Sequence, residues 1–174
     1  MLRPMEWLVR VSIWACVLFW AAGSGLLLTG RKPDLARWFW TAGVLVFAVH
    51  VASSFAAFYE WSHRVALDET ARQTAEVVGV KSGFGLWLNY AFGLIWGADV
   101  VFWWAWGHHG YEARPRWIGA ILHGFLVFLV FNGAVVFVPG PMRWLGVALF
   151  VGLAALWGRA RIWPPGASGE NGRT

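Results

Sequence analysis

Asp99 and His123 are ionisable residues that lie inside two consecutive apolar segments of the chain. Asp99 comes seven residues before the end of its segment at Trp106, and His123 comes six residues after the next segment begins at Trp117. At about 1.5 Å of helical rise per residue, both would lie roughly 9–10 Å deep if the two segments are antiparallel neighbours. Because ionisable groups are costly at that depth, we expect a buried pair that hydrogen-bonds with a shared or displaced proton.

The residue types of this pair are compatible with several kinds of chemistry. A carboxylate beside an imidazole can relay protons, anchor a ligand or orient a metal-binding histidine. The same pair can also be a structural hydrogen bond between two membrane helices, which is worth only about 0.6 kcal/mol on average. The sequence leaves these alternatives open.

A second polar layer is expected toward the opposite face of the membrane. His50, Asn89 and Asn132 each lie six to nine residues from the corresponding end of their apolar segments, at depths of about 9–14 Å. Ser54 follows His50 by four residues, so it lies on the same helical face. We therefore expect His50, Ser54, Asn89 and Asn132 to meet if their helices face a common centre.

The histidines are also candidate ligands for a metal ion or a haem. Glu60 and His63 have the i,i+3 spacing of carboxylate-bridged metal sites, and His50 lies toward the same face, which makes these three a candidate metal or redox centre. A haem held by His50 and His123 is disfavoured, since their expected levels differ by about 8 Å. The single cysteine, Cys16, excludes a disulfide framework within one chain. No cofactor is required by the sequence.

The composition is that of a membrane protein, with 59% hydrophobic and 13% charged residues against about 25% charged in soluble domains. Five apolar segments approach the length of roughly 20 residues that crosses a bilayer. They indicate one all-α transmembrane domain over residues 1–163, followed by a Pro/Gly-rich tail, 164–174, that is expected to be disordered. The expected spans are residues 11–29, 38–59, 83–106, 117–138 and 144–158.

Residues 62–78, between the second and third spans, alternate charged and small apolar residues. Arg64, Asp68 and Arg72 follow one another at i,i+4, as in solvated helical ion pairs, and Gly79 is a plausible helix stop. If this helix ran straight out of the membrane, it would extend about 25 Å. Residues 79–82 are too few to bring the chain back from that distance to the start of the third span. We therefore expect the helix to bend near 61–64 and to lie along the membrane surface as an amphipathic interfacial helix.

The distribution of charge and tryptophan indicates the orientation. Six basic residues fall on the face with the N-terminus and eight on the opposite face, so the positive-inside rule favours an outside N-terminus and a cytoplasmic C-terminus. Most of the 15 tryptophans, including Trp40 and Trp103, are expected near the two membrane surfaces. The scattered basic residues do not form a nucleic-acid-binding patch.

Several short motifs lie within residues 50–104: the stretch from His50 through Tyr59, Trp61-Ser62-His63, Thr70-Ala71-x-Gln73-Thr74, Gly83-x-Gly85, Asn89-Tyr90 and Trp96-x-x-Asp99. These motifs resemble a family of uncharacterised bacterial multi-pass membrane proteins. This resemblance implies a bacterial membrane bundle and brings no activity with it.

The function expected from these features is that of a small accessory or assembly subunit in the bacterial cytoplasmic membrane, whose buried polar residues orient its helices. The sequence carries no nucleotide-binding or hydrolase motif, which favours a non-enzymatic role. The alternatives are a metal- or haem-binding redox protein and a proton-coupled carrier of small molecules. The lipid bilayer is the expected environment, and self-association or a larger membrane complex is expected because the chain is small.

Overall fold

The computed structural model describes residues 4–30 and 32–162, and these residues form six α-helices with no strand among them. The helices are α1 (Pro4–Thr29), α2 (Pro33–Phe58), α3 (His63–Val78), α4 (Phe84–Ala113), α5 (Arg116–Phe131) and α6 (Arg143–Ile162). Five of them, all except α3, are long and apolar enough to cross a membrane, α5 together with the turn that follows it. The expected all-α membrane bundle is confirmed; the expected disordered tail lies outside the described residues.

The centre of the bundle is built from tryptophans. Trp20, Trp40, Trp96 and Trp103 are fully buried together with Leu126. Trp40 and Trp103 were expected near a membrane surface; the structure shows that both rings pack inside the bundle, next to partners described below, and do not point outward from it. An indole has a large apolar body and one N–H donor, so it suits a buried site that offers an acceptor.

Helix α3 begins and ends as its sequence predicts. The Ser62 hydroxyl accepts a hydrogen bond from the Val65 N–H at the N-cap, and Gly79 ends the helix with a φ of 79°. Before it, Glu60 and Trp61 turn the chain at φ values of 49° and 58°, which separates α3 from α2. Helix α3 packs on α4 where a Cβ on Gly83 would come within 2.8 Å of Leu67. Its position at the membrane surface stays a prediction.

The connection after the third span differs from the loop expected over 107–116. Gly107 breaks α4 with φ 66° and ψ −172°, and residues 108–113 are helical again. This break turns the last part of α4 back toward the bundle, where the Tyr111 ring stacks on Trp103 with centroids 4.0 Å apart. Glycine adopts this backbone conformation without steric cost. The break at this one residue therefore allows the segment after it to pack against the core of the bundle.

Helix α5 ends in a π-helical turn, Asn132–Val136. The Phe137 N–H donates to the Asn132 carbonyl oxygen over 2.9 Å, which is the i→i+5 bond of that geometry. Helix α6 packs against this turn, where a Cβ on Gly146 would lie 2.3 Å from the Ala134 carbonyl oxygen. The π-turn therefore fixes how α6 approaches the bundle.

Candidate functional site

Asp99 is 4% exposed and lies at the centre of a buried polar group that we call the Asp99 cluster: Trp40, Asp99, Tyr111, Arg114 and His123. Its Oδ2 accepts a hydrogen bond from Trp40 Nε1 over 2.8 Å and another from the Tyr111 hydroxyl over 3.0 Å. Its Oδ1 forms an ion pair with Arg114 Nη1. The carboxylate is thus held by donors from α2, from the end of α4 and from the α4–α5 connection.

Arg114 stands between the two residues that the sequence predicted to be partners. Its Nη2 lies 3.3 Å from His123 Nε2, and since a guanidinium only donates, Nε2 is the acceptor. The structure brings Asp99 and His123 into one cluster, as expected, but the direct bond between them is replaced by this bridge. Arg114 also lies over the Tyr111 ring, 3.8 Å from its centroid, and His123 packs on the ring of Trp40.

Three members of the cluster were not singled out from sequence. Trp40 was assigned to the membrane surface, and Tyr111 and Arg114 to the short connection between the third and fourth spans. A partial signal existed for Arg114, because an acid buried in an apolar segment needs a cation nearby and this connection carries two arginines, Arg114 and Arg116. The backbone reversal at Gly107, which brings that connection to the acid, has no comparable signal.

The second polar layer surrounds a cavity of about 500 Å³, which we call the polar cavity, bounded mainly by α2, α3, α4 and the α5 end. His50, Ser54, Asn89 and Asn132 all line it, so the structure brings together the four residues expected to meet. The lining residues are Ile13, Phe47, His50, Val51, Ser54, Phe55, Tyr59, Thr70, Gln73, Thr74, Val78, Ser82, Phe84, Gly85, Leu86, Leu88, Asn89, Tyr90, Phe128, Leu129, Asn132, Gly133 and Phe137.

The polar groups of this layer are only partly engaged. His50 Nδ1 lies 3.1 Å from the Val9 carbonyl oxygen, which can only accept, so Nδ1 carries the proton and a neutral ring keeps Nε2 as an acceptor. Asn132 Nδ2 donates to the Phe128 carbonyl oxygen over 2.7 Å, which leaves its amide oxygen. Asn89 makes no side-chain hydrogen bond with any residue that the structure describes.

Helix α3 contributes a wall of the polar cavity that the sequence did not predict. Thr70 and Thr74 each donate their hydroxyl to the carbonyl four residues earlier, over 2.8 Å, and so present only oxygen lone pairs. Tyr59, just after α2, also lines the cavity, and burial together with the negative charge of Glu69 raises its pKa above the ordinary value. Its phenol is therefore neutral at physiological pH.

The expected metal centre of His50, Glu60 and His63 is not assembled. In the described part of the chain, no three His, Cys, Asp or Glu side chains come close enough to hold a metal ion. His63 Nδ1 instead lies 3.0 Å from the Tyr90 hydroxyl, and the two rings stack. The i,i+3 spacing of Glu60 and His63 is interrupted because the turn at 59–62 ends α2 before His63 begins α3.

No protein-family model, curated protein or solved structure matches this chain. The bacterial family proposed from short motifs is therefore neither supported nor contradicted. The structure adds that many of the residues carrying the resemblance line the polar cavity: His50, Ser54, Tyr59, Thr70, Gln73, Thr74, Gly85, Asn89 and Tyr90.

Proposed function

We propose that this chain is a non-enzymatic accessory or assembly subunit of a bacterial cytoplasmic membrane, in which the Asp99 cluster sets the relative positions of the helices. The observation that carries the proposal is that both oxygens of Asp99 accept from donors of three different segments. A group that exchanges protons or ligands needs a free coordination position, whereas a group that fixes helices needs all of its partners in place. Asp99 has its partners in place, as expected of a group that fixes helices.

The two rival functions have less support. A proton-coupled carrier would use Asp99 as its titrating group, but this carboxylate is ion-paired with Arg114 and almost fully buried. A redox protein with a metal on His50, Glu60 and His63 would need ligands that converge, and these side chains form no such group.

We further propose that the N-terminus lies outside and the C-terminus in the cytoplasm, and that the chain associates with itself or with a larger membrane complex. Five spans place the two termini on opposite faces, and the basic residues favour this orientation by eight to six. The Asp99 cluster would then lie in the cytoplasmic half and the polar cavity in the outer half.

Two measurements on the full chain test the proposal. Light scattering in mild detergent is expected to give a particle larger than the 19.4 kDa chain plus its bound detergent; a monomer under all mild conditions would contradict self-association. Liposomes carrying the chain and a trapped pH-sensitive dye are expected to leak protons no faster than empty ones. A proton flux that Asp99→Asn abolishes and Asp34→Asn leaves intact would instead establish the carrier.

A further inference from the structure

The polar cavity contains hydrogen-bonding atoms that the protein itself does not satisfy. Asn89, Asn132 and His50 line it. The amide of Asn89, the amide oxygen of Asn132 and Nε2 of His50 have no hydrogen-bond partner among the described residues. An amide in a membrane-spanning helix that lacks a partner costs several kcal/mol in hydrocarbon. These atoms therefore favour an occupant that forms hydrogen bonds with them and also makes apolar contacts.

The charge of the lining restricts that occupant. No Asp, Glu, Lys or Arg lies among the described residues that border the cavity. A charged molecule would lose its hydration there without gaining a countercharge. The occupant is therefore uncharged, which also distinguishes this cavity from the ionic Asp99 cluster.

The size and shape of the lining restrict it further. A volume of about 500 Å³ is within the range of roughly 300–1,000 Å³ of small-molecule sites. Seven of the lining residues are aromatic, among them Phe47, Phe55 and Phe128, and aromatic rings pack well against flat partners. The exposed Phe84 and Phe128 border the cavity, so an occupant that is dissolved in the lipid has direct access.

We propose that the polar cavity binds a flat, uncharged ring compound that carries carbonyl or hydroxyl oxygens and is taken up from the lipid. Its ring packs among the aromatic side chains. A carbonyl oxygen of the compound accepts from the Asn89 amide nitrogen, and a hydroxyl group, where present, donates to His50 Nε2 or to the Asn132 amide oxygen. This site goes beyond the proposed subunit role and does not depend on it.

Two matched glycines on the same helical stretch make a direct test possible. A Cβ on Gly133, which lines the cavity, would meet nothing within 4 Å, and the same holds for Gly124, which does not line it. Gly133→Phe therefore adds a ring at the cavity wall from a Cβ that meets no neighbour, while Gly124→Phe adds the same ring elsewhere. Asn89→Leu removes the free amide at nearly constant volume, and Asn89→Gln restores it.

The measurement is titration calorimetry of the full chain in lipid nanodiscs, with empty nanodiscs subtracted. The probe is menadione, a flat uncharged quinone, and anthraquinone sulfonate is its charged counterpart. We expect saturable menadione binding that is weakened about tenfold or more by Gly133→Phe and by Asn89→Leu. Gly124→Phe and Asn89→Gln are expected to bind within about threefold of the unaltered chain, and the sulfonate is expected not to bind.

Three results would overturn the proposal: equal menadione binding by the Gly133→Phe and Gly124→Phe variants, tighter binding of the sulfonate, or no saturable binding at all. Native mass spectrometry tests whether a lipid occupies the cavity instead. A phospholipid retained by the chain and lost only from Gly133→Phe, without menadione binding, would assign the cavity to an acyl chain. Thermal unfolding of each variant confirms that a loss of binding is not a loss of folding.

Discussion

The Asp99 cluster and the polar cavity differ in how their polar atoms are used, although Asp99 and Asn89 are only ten residues apart on α4. In the cluster, each oxygen of the acid has a protein donor, and Asp99 is buried. In the cavity, amide and imidazole atoms face open volume. Buried polar groups that are mutually satisfied hold a structure together, whereas unsatisfied groups around a space are typical of binding sites. The proposed structural role and the proposed binding role therefore belong to different parts of the same bundle.

The largest expected effect is at the centre of the cluster. Asp99→Asn leaves the Arg114 guanidinium, whose side chain is 11% exposed, without its countercharge. Breaking a buried pair in this way costs about 3–5 kcal/mol of the free energy of unfolding. The loss is measurable by tryptophan fluorescence during SDS-induced unfolding in mixed micelles. Asp34→Asn, which removes an exposed pair with Arg37, is expected to cost at most about 0.5 kcal/mol, and equal losses would contradict the structural role of Asp99.

A smaller effect is expected when one donor to Asp99 is removed. Tyr111→Phe keeps the ring stacked on Trp103 but deletes the hydroxyl that donates to Oδ2. Hydrogen bonds to charged groups contribute about 1.5–3 kcal/mol, so the same unfolding assay should show a loss in that range. The matched change at the polar cavity is Tyr90→Phe, which deletes a hydroxyl that lies beside the exposed His63. This variant should change the free energy of unfolding by less than about 1 kcal/mol.

Packing around the cluster should also tolerate less change than packing around the cavity. A Cβ on Gly43 would lie 2.6 Å from the buried Trp96 ring, which packs on Trp40. Gly43→Ala should therefore destabilise the bundle by about 1–3 kcal/mol. Gly133→Ala, which adds a Cβ at the cavity that meets nothing within 4 Å, should be neutral or slightly stabilising. Similar melting temperatures for the two variants would show that the tryptophan core can move.

The smallest effect concerns α3, which forms a wall of the cavity. Arg72 donates two hydrogen bonds to Glu69 and lowers the pKa of that carboxyl. Because the folded-state pKa is lowered, the stabilisation is complete above the unfolded pKa of about 4.3 and is lost as the pH falls through the lower folded value. Amide exchange in α3 should therefore accelerate below about pH 4, relative to α4, and Glu69→Gln should remove this difference. If the ratio of the exchange rates in α3 and α4 did not change with pH, the stabilising role of the Arg72–Glu69 pair would be contradicted.

The sequence predicted those features that depend on local pattern. The apolar segments predicted five membrane helices, and Gly79 ends α3 as expected. Counting residues from the segment ends correctly brought His50, Ser54, Asn89 and Asn132 to one cavity, because depth along a straight helix follows from its rise.

The same counting could not predict the partners of Asp99. Trp40 was assigned to the membrane surface by residue type, and only the packing of α2 against α4 shows that its N–H meets a carboxylate. Arg114 reaches Asp99 because of the φ of 66° at Gly107, and that angle is determined by contacts that form only in the folded chain. The metal hypothesis failed for a related reason, since the turn at Glu60 and Trp61 interrupts the helix on which its spacing depended.

The reversal at Gly107 also bears on the order in which the protein is made. Asp99 and its guanidinium partner are fifteen residues apart, so the cation leaves the ribosome soon after the acid and before α5 and α6 have been synthesised. The growing chain can therefore insert α4 with the charge of its acid already compensated, and the later helices close around a neutral unit.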